Sequence, residues 1–201
     1  MITQLLMRRP HGARPLYTEY HLRKALDLIS KASIGRGALG KELGLGKGSA
    51  RTIVKILKAS GLIKTSKKGC ELTKKGQLLS KKLHRQIIKI SEIEAEEIAG
   101  EHSIAVLVRN VGNKVKYGVE QRDAAIITGA AGATTIIYLG GKLRVPTISE
   151  DFEKDYPQLA KKLLFIFKPR NNDVIVIGSA CEEAAAERGA EVAAYTLIGA
   201  D

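Results

Sequence analysis

The stretch SARTIVKILKASGLIKTSKKGCELTKKGQLL, residues 49–79, decides how this chain is read. Its first part belongs to a helical pattern running from Lys47 to Ser60. At a helical advance of about 100° per residue, Arg51, Lys55 and Lys58 share one arc with Lys47, whereas Ala50, Ile53, Val54 and Leu57 fill a separate one. One face of this helix packs and the neighbouring face is cationic. Gly61 ends it. Leu62 to Ser66 then reads as a strand, Lys67-Lys68-Gly69 as a turn and Cys70 to Thr73 as the return strand, so a β-hairpin with a basic tip follows a basic helix directly.

Upstream, Tyr17 to Ala32 spaces Leu22, Leu26 and Ile29 at helical intervals. Gly35 and Gly37 break that helix, Ala38 to Leu43 makes a short second one, and Gly44-Leu45-Gly46 turns tightly into the third, the pattern of a helix-turn-helix. An arm over residues 1–16 carries Arg8, Arg9 and Arg14, either as a minor-groove contact or as a solvated tail. Downstream, Lys74 to Ile93 returns to helical spacing with Thr73 as cap. Its stripe of Leu79, Leu83, Ile87 and Ile90 faces either a second copy of the chain or its own domain.

Residues 49–79 resemble the recognition helix, wing and following helix of winged helix-turn-helix transcriptional regulators. The resemblance extends over roughly Tyr17 to Leu83. Downstream, GVEQRDAAIITGAAGATT, Gly118 to Thr135, resembles the carboxy-terminal α/β domain of a group of archaeal winged-helix proteins. Together these imply a two-domain regulator without identifying its signal.

Charge follows the same division. Residues 1–90 hold 21 Lys and Arg against 4 Asp and Glu, a net of +17, and the remainder holds 12 against 17, a net of −5. The first half demands an anionic partner and the second does not. At 201 residues, 44% hydrophobic and 27% charged, the composition is that of a folded protein of one large or two small domains. Cys70 and Cys181 lie far apart with no metal-binding spacing, which points to a reducing cytoplasm. The run from Ala124 to Gly141 is free of charge, but 7 of its 18 residues are Gly or Thr, and two strands joined by a glycine turn are expected rather than a membrane span.

In the acidic half the boundary falls near Ala99 and Gly100. Strands are expected at Ser103–Arg109, Asp123–Thr128, Thr134–Leu139, Lys142–Val145 and Asp173–Ile177. Helices are expected at Gly112–Glu120, Asp151–Phe167 and, interrupted by Gly189, Cys181–Ile198. Hairpins mixed with strand-helix units give an α/β or α+β domain on a mixed sheet. Small residues at Gly129 and Gly132, with Thr134 and Thr135, form either a tight turn or a cradle for an anion, with Arg122 and Asp123 beside it. Gly178-Ser179, at a strand end leading into a helix, is either a plain connecting loop or a second anion candidate. His11, His21, His84 and His102 keep no metal-ligand spacing and read as surface or capping residues. Cys181 reads as a small buried residue.

The expectation is therefore a basic arm over residues 1–16, a winged helix with its trailing helix over 17–98 and an α/β sensing or oligomerisation domain over 99–201. The chain is read as a cytoplasmic transcriptional regulator, acting as a homodimer on double-stranded DNA without a membrane. Lys47, Ser49, Arg51, Lys55 and Lys58 would meet the major groove or its phosphates, with Lys64, Lys67 and Lys68 on the wing. The ligand residues would be Arg122, Asp123, Gly129, Gly132, Thr134 and Thr135, serving a small effector, with an anion as one candidate. No catalytic set, metal or cofactor is indicated. An enzyme with a DNA-binding appendage and an RNA-associated basic module are the alternatives. The second is weakened by the scarcity of aromatic rings, since only Tyr17 and Tyr20 precede residue 100.

Overall fold

The computed structural model describes residues 17–95, 98 and 100–198. The arm with Arg8, Arg9, His11 and Arg14, the residue Ala99 and the side chain of His84 lie outside the described residues. The chain divides into two compact units, the first reaching Leu83 and the second beginning at His84.

The first unit contains α1 (Glu19–Lys31), α2 (Arg36–Glu42), α3 (Lys47–Ala59), β1 (Ile63–Ser66), β2 (Gly69–Leu72) and the start of α4 (Lys74–Gln86). Leu22, Leu26 and Ile29 of α1 close on Leu39 of α2, Ile53 and Leu57 of α3 and Cys70 of β2 in one core. The helix-turn-helix contact is tight because Gly40 has no side chain: a Cβ there would lie 2.9 Å from that of Ala50. β1 and β2 pair antiparallel, with Thr65 opposite Cys70. The α1–α2 linker joins them, as Cys70 N–H donates to the Ile34 carbonyl at 2.8 Å. Gly69 sits where that linker crosses, with φ +123° and no room for a Cβ against the Ile34 carbonyl. Thr73 caps α4 as expected, accepting from Gly76 N–H at 3.1 Å.

α4 does not run to Ile93. It stops at Gln86 and the chain continues as β3 (Ile87–Glu92). The expected helical stripe is thereby split: Leu79 and Leu83 pack on the first unit's core, whereas Ile87 and Ile90 belong to a strand. Two β-branched isoleucines in succession are compatible with either structure, and pairing with the next strand decides between them.

The second unit adds β4 (His102–Val108), a 3₁₀ turn (Gly112–Lys114), α5 (Val119–Ile127), β5 (Gly132–Leu139), β6 (Lys142–Arg144), α6 (Phe152–Asp155), α7 (Pro157–Phe167), β7 (Asp173–Ala180) and α8 (Glu183–Leu197). Its five strands run in the order β3-β4-β7-β5-β6 with every neighbouring pair antiparallel, so the fold is α+β and the sheet is not mixed. β7 is central and buried along its whole length. One face of the sheet, with Leu107, Ile136, Ile175 and Ile177, packs on Phe152, Leu159, Leu163 and Phe167 of α6 and α7. The other face receives α8. Its backbone rests directly on Gly178, where a Cβ would fall 2.3 Å from Ala190 N. Gly189 does not interrupt α8; it lets that helix lie against Ala125 and Ala130, where a Cβ would meet the Ala130 side chain at 2.5 Å.

Three further expectations are corrected. Residues 123–127 are helical, within α5, because Gln121 and Ala125 bury one helical face while Ile126 and Ile127 are left outside. The helix expected over Asp151–Phe167 breaks at Tyr156, since the residue before Pro157 is pushed out of the helical region. Cys181 is exposed. The Gly140-Gly141 hairpin is as expected, with φ of +62° and +83° joining β5 to β6.

Asp173 organises the end of the sheet where β7 begins. Its carboxylate is 2% exposed and accepts from the Arg109 guanidinium, from Arg170 N–H at 2.6 Å and from Asn110 N–H at 3.0 Å. The Asp173→Ala variant leaves these donors unmatched beside a buried strand, and chemical unfolding should show a loss of about 3 kcal/mol. A loss under about 0.5 kcal/mol would mean that water replaces the carboxylate at no cost.

Candidate nucleic-acid interface

α3 starts on Gly46-Lys47-Gly48, with no acidic residue in its first turn and no side-chain cap on its free N–H groups. It stops at Gly61, which takes φ +67°. Gly61 N–H donates to Lys58 carbonyl and Leu62 N–H to Leu57 carbonyl, each at 2.9 Å. Ala50, Ile53 and Leu57 are buried between these ends. That burial turns Lys47, Arg51, Lys55 and Lys58 outward, and all four are exposed; Ser49 is half-buried at the edge of the stripe. No ion pair neutralises Lys47, Arg51 or Lys55 among the described residues.

Arg51, Lys55 and Lys58 line a groove of about 490 Å³ whose other walls are Arg36, Val54, Thr65, Ser66, Gly69 and Cys70. Lys58 Nζ reaches Thr65 Oγ1 at 3.4 Å, which bridges helix and hairpin. Lys67 and Lys68 are exposed at the hairpin turn. Lys68 N–H donates to Ser66 Oγ, and its carbonyl accepts from Ser33 Oγ at 2.9 Å, so the tip is tied to the α1–α2 linker. Lys64 is not gathered with this group. Strand alternation sends it from the hairpin face opposite Thr65, where it pairs with Glu71 at 3.2 Å. Arg36 was missed in the sequence reading. It follows Gly35 at the start of α2, outside the helix whose periodicity drew attention, and only the fold brings it beside α3.

Beneath the groove, burial pushes the Cys70 thiol above its ordinary pKa, and the positive charge of Arg36 offsets only part of that rise.

The residues expected around an effector are placed differently. Arg122 and Asp123 are exposed on α5, paired with each other at 3.0 Å. Gly129 terminates α5 in the left-handed region, φ +92°; its N–H donates to Ile126 carbonyl at 3.0 Å and Ala130 N–H donates to Ala125 carbonyl at 3.3 Å. Ala131 N–H is taken by the Ser179 carbonyl at 2.8 Å. The amides that a cradle would offer an anion are thus engaged within the fold. Gly132 has an ordinary φ and lies in β5, with Arg122 Cγ as the nearest neighbour a Cβ would meet. Thr134 and Thr135 leave β5 on opposite faces, the first on the α7 side opposite Ile177, the second buried at 3% opposite Val176. Gly178 is covered by α8, and Ser179 is buried. His21 accepts from Thr18 N–H at 3.0 Å, a capping role, and His102 lies 3.6 Å from Glu92. Among the described residues no group of three or more His, Cys, Asp or Glu is placed to hold a metal ion, and no helix is long and apolar enough to cross a membrane.

Comparison with known proteins falls along the same two units. Residues 18–87 match the family model described as the CggR N-terminal DNA binding domain, and residues 98–197 match a domain of unknown function, DUF4443. Among solved structures, the chain is similar to the hypothetical protein PH0730 from Pyrococcus horikoshii OT3, at 28% identity and a TM-score of 0.66, over 90% of this chain and 92% of that one. No curated protein matches this sequence.

The two thiols should separate cleanly in a native alkylation experiment. Cys181 should react with an iodoacetamide-type reagent at once, and Cys70, buried and held protonated, only after unfolding. Equal rates for both under native conditions would show that the core beneath the groove opens readily.

Proposed function

We propose that the chain is a DNA-binding transcriptional regulator whose first unit docks α3 in the major groove of duplex DNA and uses the β1–β2 hairpin as a wing on the adjoining backbone. The observation that carries this reading is the exposed cationic stripe Lys47–Arg51–Lys55–Lys58, with Arg36 beside it, on a unit matching a DNA-binding domain model. The uncapped first turn of α3 adds backbone N–H groups where a phosphate is favoured by the helix dipole. Duplex rather than single-stranded nucleic acid is favoured because the unit's two aromatic rings, Tyr17 and Tyr20, are buried and offer no surface for stacking unpaired bases. The acidic second unit supplies the regulatory half of the proposal. Of the residues expected around an effector, Arg122 and Asp123 pair on α5 with Gly132 beside Arg122, Gly129 ends that helix, and Thr134 and Thr135 leave β5 on opposite faces.

Binding to duplex DNA should be steeply salt dependent. With about five phosphate contacts and a slope near −0.9 for each, affinity should fall several hundredfold between roughly 50 and 200 mM salt. Fluorescence anisotropy over that range checks it, and a flat response would sink the electrostatic reading.

Single substitutions should differ in kind. Arg51→Ala should cost roughly 1 to 3 kcal/mol and relax sequence preference if its guanidinium reads a base edge. Arg36→Ala and the Lys67→Ala, Lys68→Ala pair should weaken all duplexes alike, and Lys64→Ala should matter less because Glu71 already neutralises that charge. A folded Arg51→Ala protein with unchanged affinity and preference would show that α3 is not the reader.

A further inference from the structure

α4 carries four lysines that the groove beside α3 does not use. Lys74, Lys75, Lys81 and Lys82 are all exposed, whereas Gly76 and Ser80 are buried and Leu79 and Leu83 pack on the first unit's core. At about 100° per residue the four fall within an arc of roughly 120°. Leu78, 71% exposed, lies inside that arc. The lysines form two pairs, Lys74–Lys75 and Lys81–Lys82, about 10.5 Å apart along one helical face. Residues 74–83 contain no Asp or Glu, and none of the four lysines takes part in an ion pair among the described residues. A surface helix ordinarily favours acidic side chains in its first turn and alternates charge along its exposed side. α4 opens instead on two lysines, at the positive end of its own dipole. Among the described residues only Lys75 of the four has an internal partner, donating from Nζ to the Ser60 carbonyl at 3.0 Å. That bond sets the first turn of α4 against the carboxy-terminal end of α3, two residues beyond Lys58. Thr73 N–H donates to the Leu62 carbonyl at 3.0 Å, so α4 begins at the base of the hairpin. The groove with Arg51, Lys55 and Lys58 lies farther along the hairpin, against Thr65, Ser66, Gly69 and Cys70, and no α4 residue lines it.

We propose that this face of α4 is a second contact for the phosphate backbone of duplex DNA, outside the contact made by α3 and the hairpin. It rests on the DNA-binding reading of the first unit and extends it. Uncompensated ammonium groups in two pairs along a helix fit a partner that is itself a row of like charges, which a duplex backbone is. Lysine is a point charge on a flexible stem and suits phosphate better than a base edge. Leu78, between the pairs, gives the face an apolar centre that rests on sugar while the lysines on either side reach phosphate. A lipid surface is disfavoured, because it needs a broad apolar face beneath the charges, and the apolar side of α4 is engaged in the core through Leu79 and Leu83. Contacts to phosphate carry no sequence information. The α4 face therefore adds affinity and salt dependence, and leaves sequence preference to α3.

Fluorescence anisotropy of the full chain on a labelled mixed-sequence duplex of about 40 base pairs, from roughly 50 to 200 mM salt, tests it. Lys81→Gln with Lys82→Gln should flatten the slope of log affinity against log salt by about 1.8, two contacts at about 0.9 each. At about 0.1 M salt the same variant should bind on the order of tenfold more weakly or worse, by an equal factor for every duplex sequence tried. Lys81→Arg with Lys82→Arg keeps both charges and should keep the wild-type slope. Lys114→Gln with Lys161→Gln removes as much charge from exposed positions of the second unit and should also leave the slope unchanged. Thermal unfolding by circular dichroism shows whether the variants are folded. Should the α4 double variant fail to fold, Lys82→Gln alone should flatten the slope by about 0.9. A folded α4 variant with the wild-type slope overturns the proposal while leaving the α3 reading intact, and gives this face to an acidic protein surface instead. Equal flattening in the second-unit variant overturns it as well, since net charge alone would then set the slope. A wild type that binds no duplex overturns the DNA-binding reading itself, and this proposal with it.

Discussion

A helix ends stably only where its last carbonyls find donors, and this chain meets that requirement three times with the same device. After α2, Gly44 N–H donates to Lys41 carbonyl and Leu45 N–H to Gly40; after α3, Gly61 and Leu62 do the same to Lys58 and Leu57; after α5, Gly129 and Ala130 do so to Ile126 and Ala125. Each glycine takes a positive φ that a side chain would penalise. The first turn sets α3 against α2, the second releases the chain into the hairpin, and the third aims β5 into the sheet. The cationic stripe can exist as a surface because the helix bearing it is held between two such stops, with Ile53 and Leu57 anchored below.

The same device marks where the sequence was legible and where it was not. Around Gly44 and Gly61 the flanking residues keep clear helical periodicity, so each glycine read as a stop. Around Gly129 the preceding run Asp123–Thr128 is short and apolar, and strand and helix are indistinguishable there by periodicity. Reading it as a strand removed the helix that Gly129 caps and left its small residues looking like an anion loop. The decisive fact is tertiary: Ala125 and Ala130 are small because Gly189 of α8 lies against them. Gly178 was misjudged for the same reason, as α8 presses its backbone onto that residue.

In the first unit the candidate site was readable because function and packing share one periodicity. The apolar arc of α3 fixes which way the helix turns, and the cationic arc follows from it. Contacts made across elements were invisible. Arg36 enters the groove from the first turn of α2, and Lys64 is drawn off to Glu71 by the hairpin register. In the second unit β4, β5, β6 and β7 were found, but β3 was read as helix and residues 123–128 as a strand, and the strand directions were not legible, since antiparallel order depends on which strand β7 pairs with. Asp173 fixes that strand's start by gathering Arg109, Asn110 and Arg170 from two separate loops.

The charge division limits which part of the chain suits an anionic partner: residues 91–201, with a net charge of −5, are repelled by phosphate, whereas residues 1–90 carry +17 and attract it. The fold of the acidic half leaves Val119, Ile126 and Ile127 of α5 exposed because Gln121 and Ala125 take the buried side of that helix.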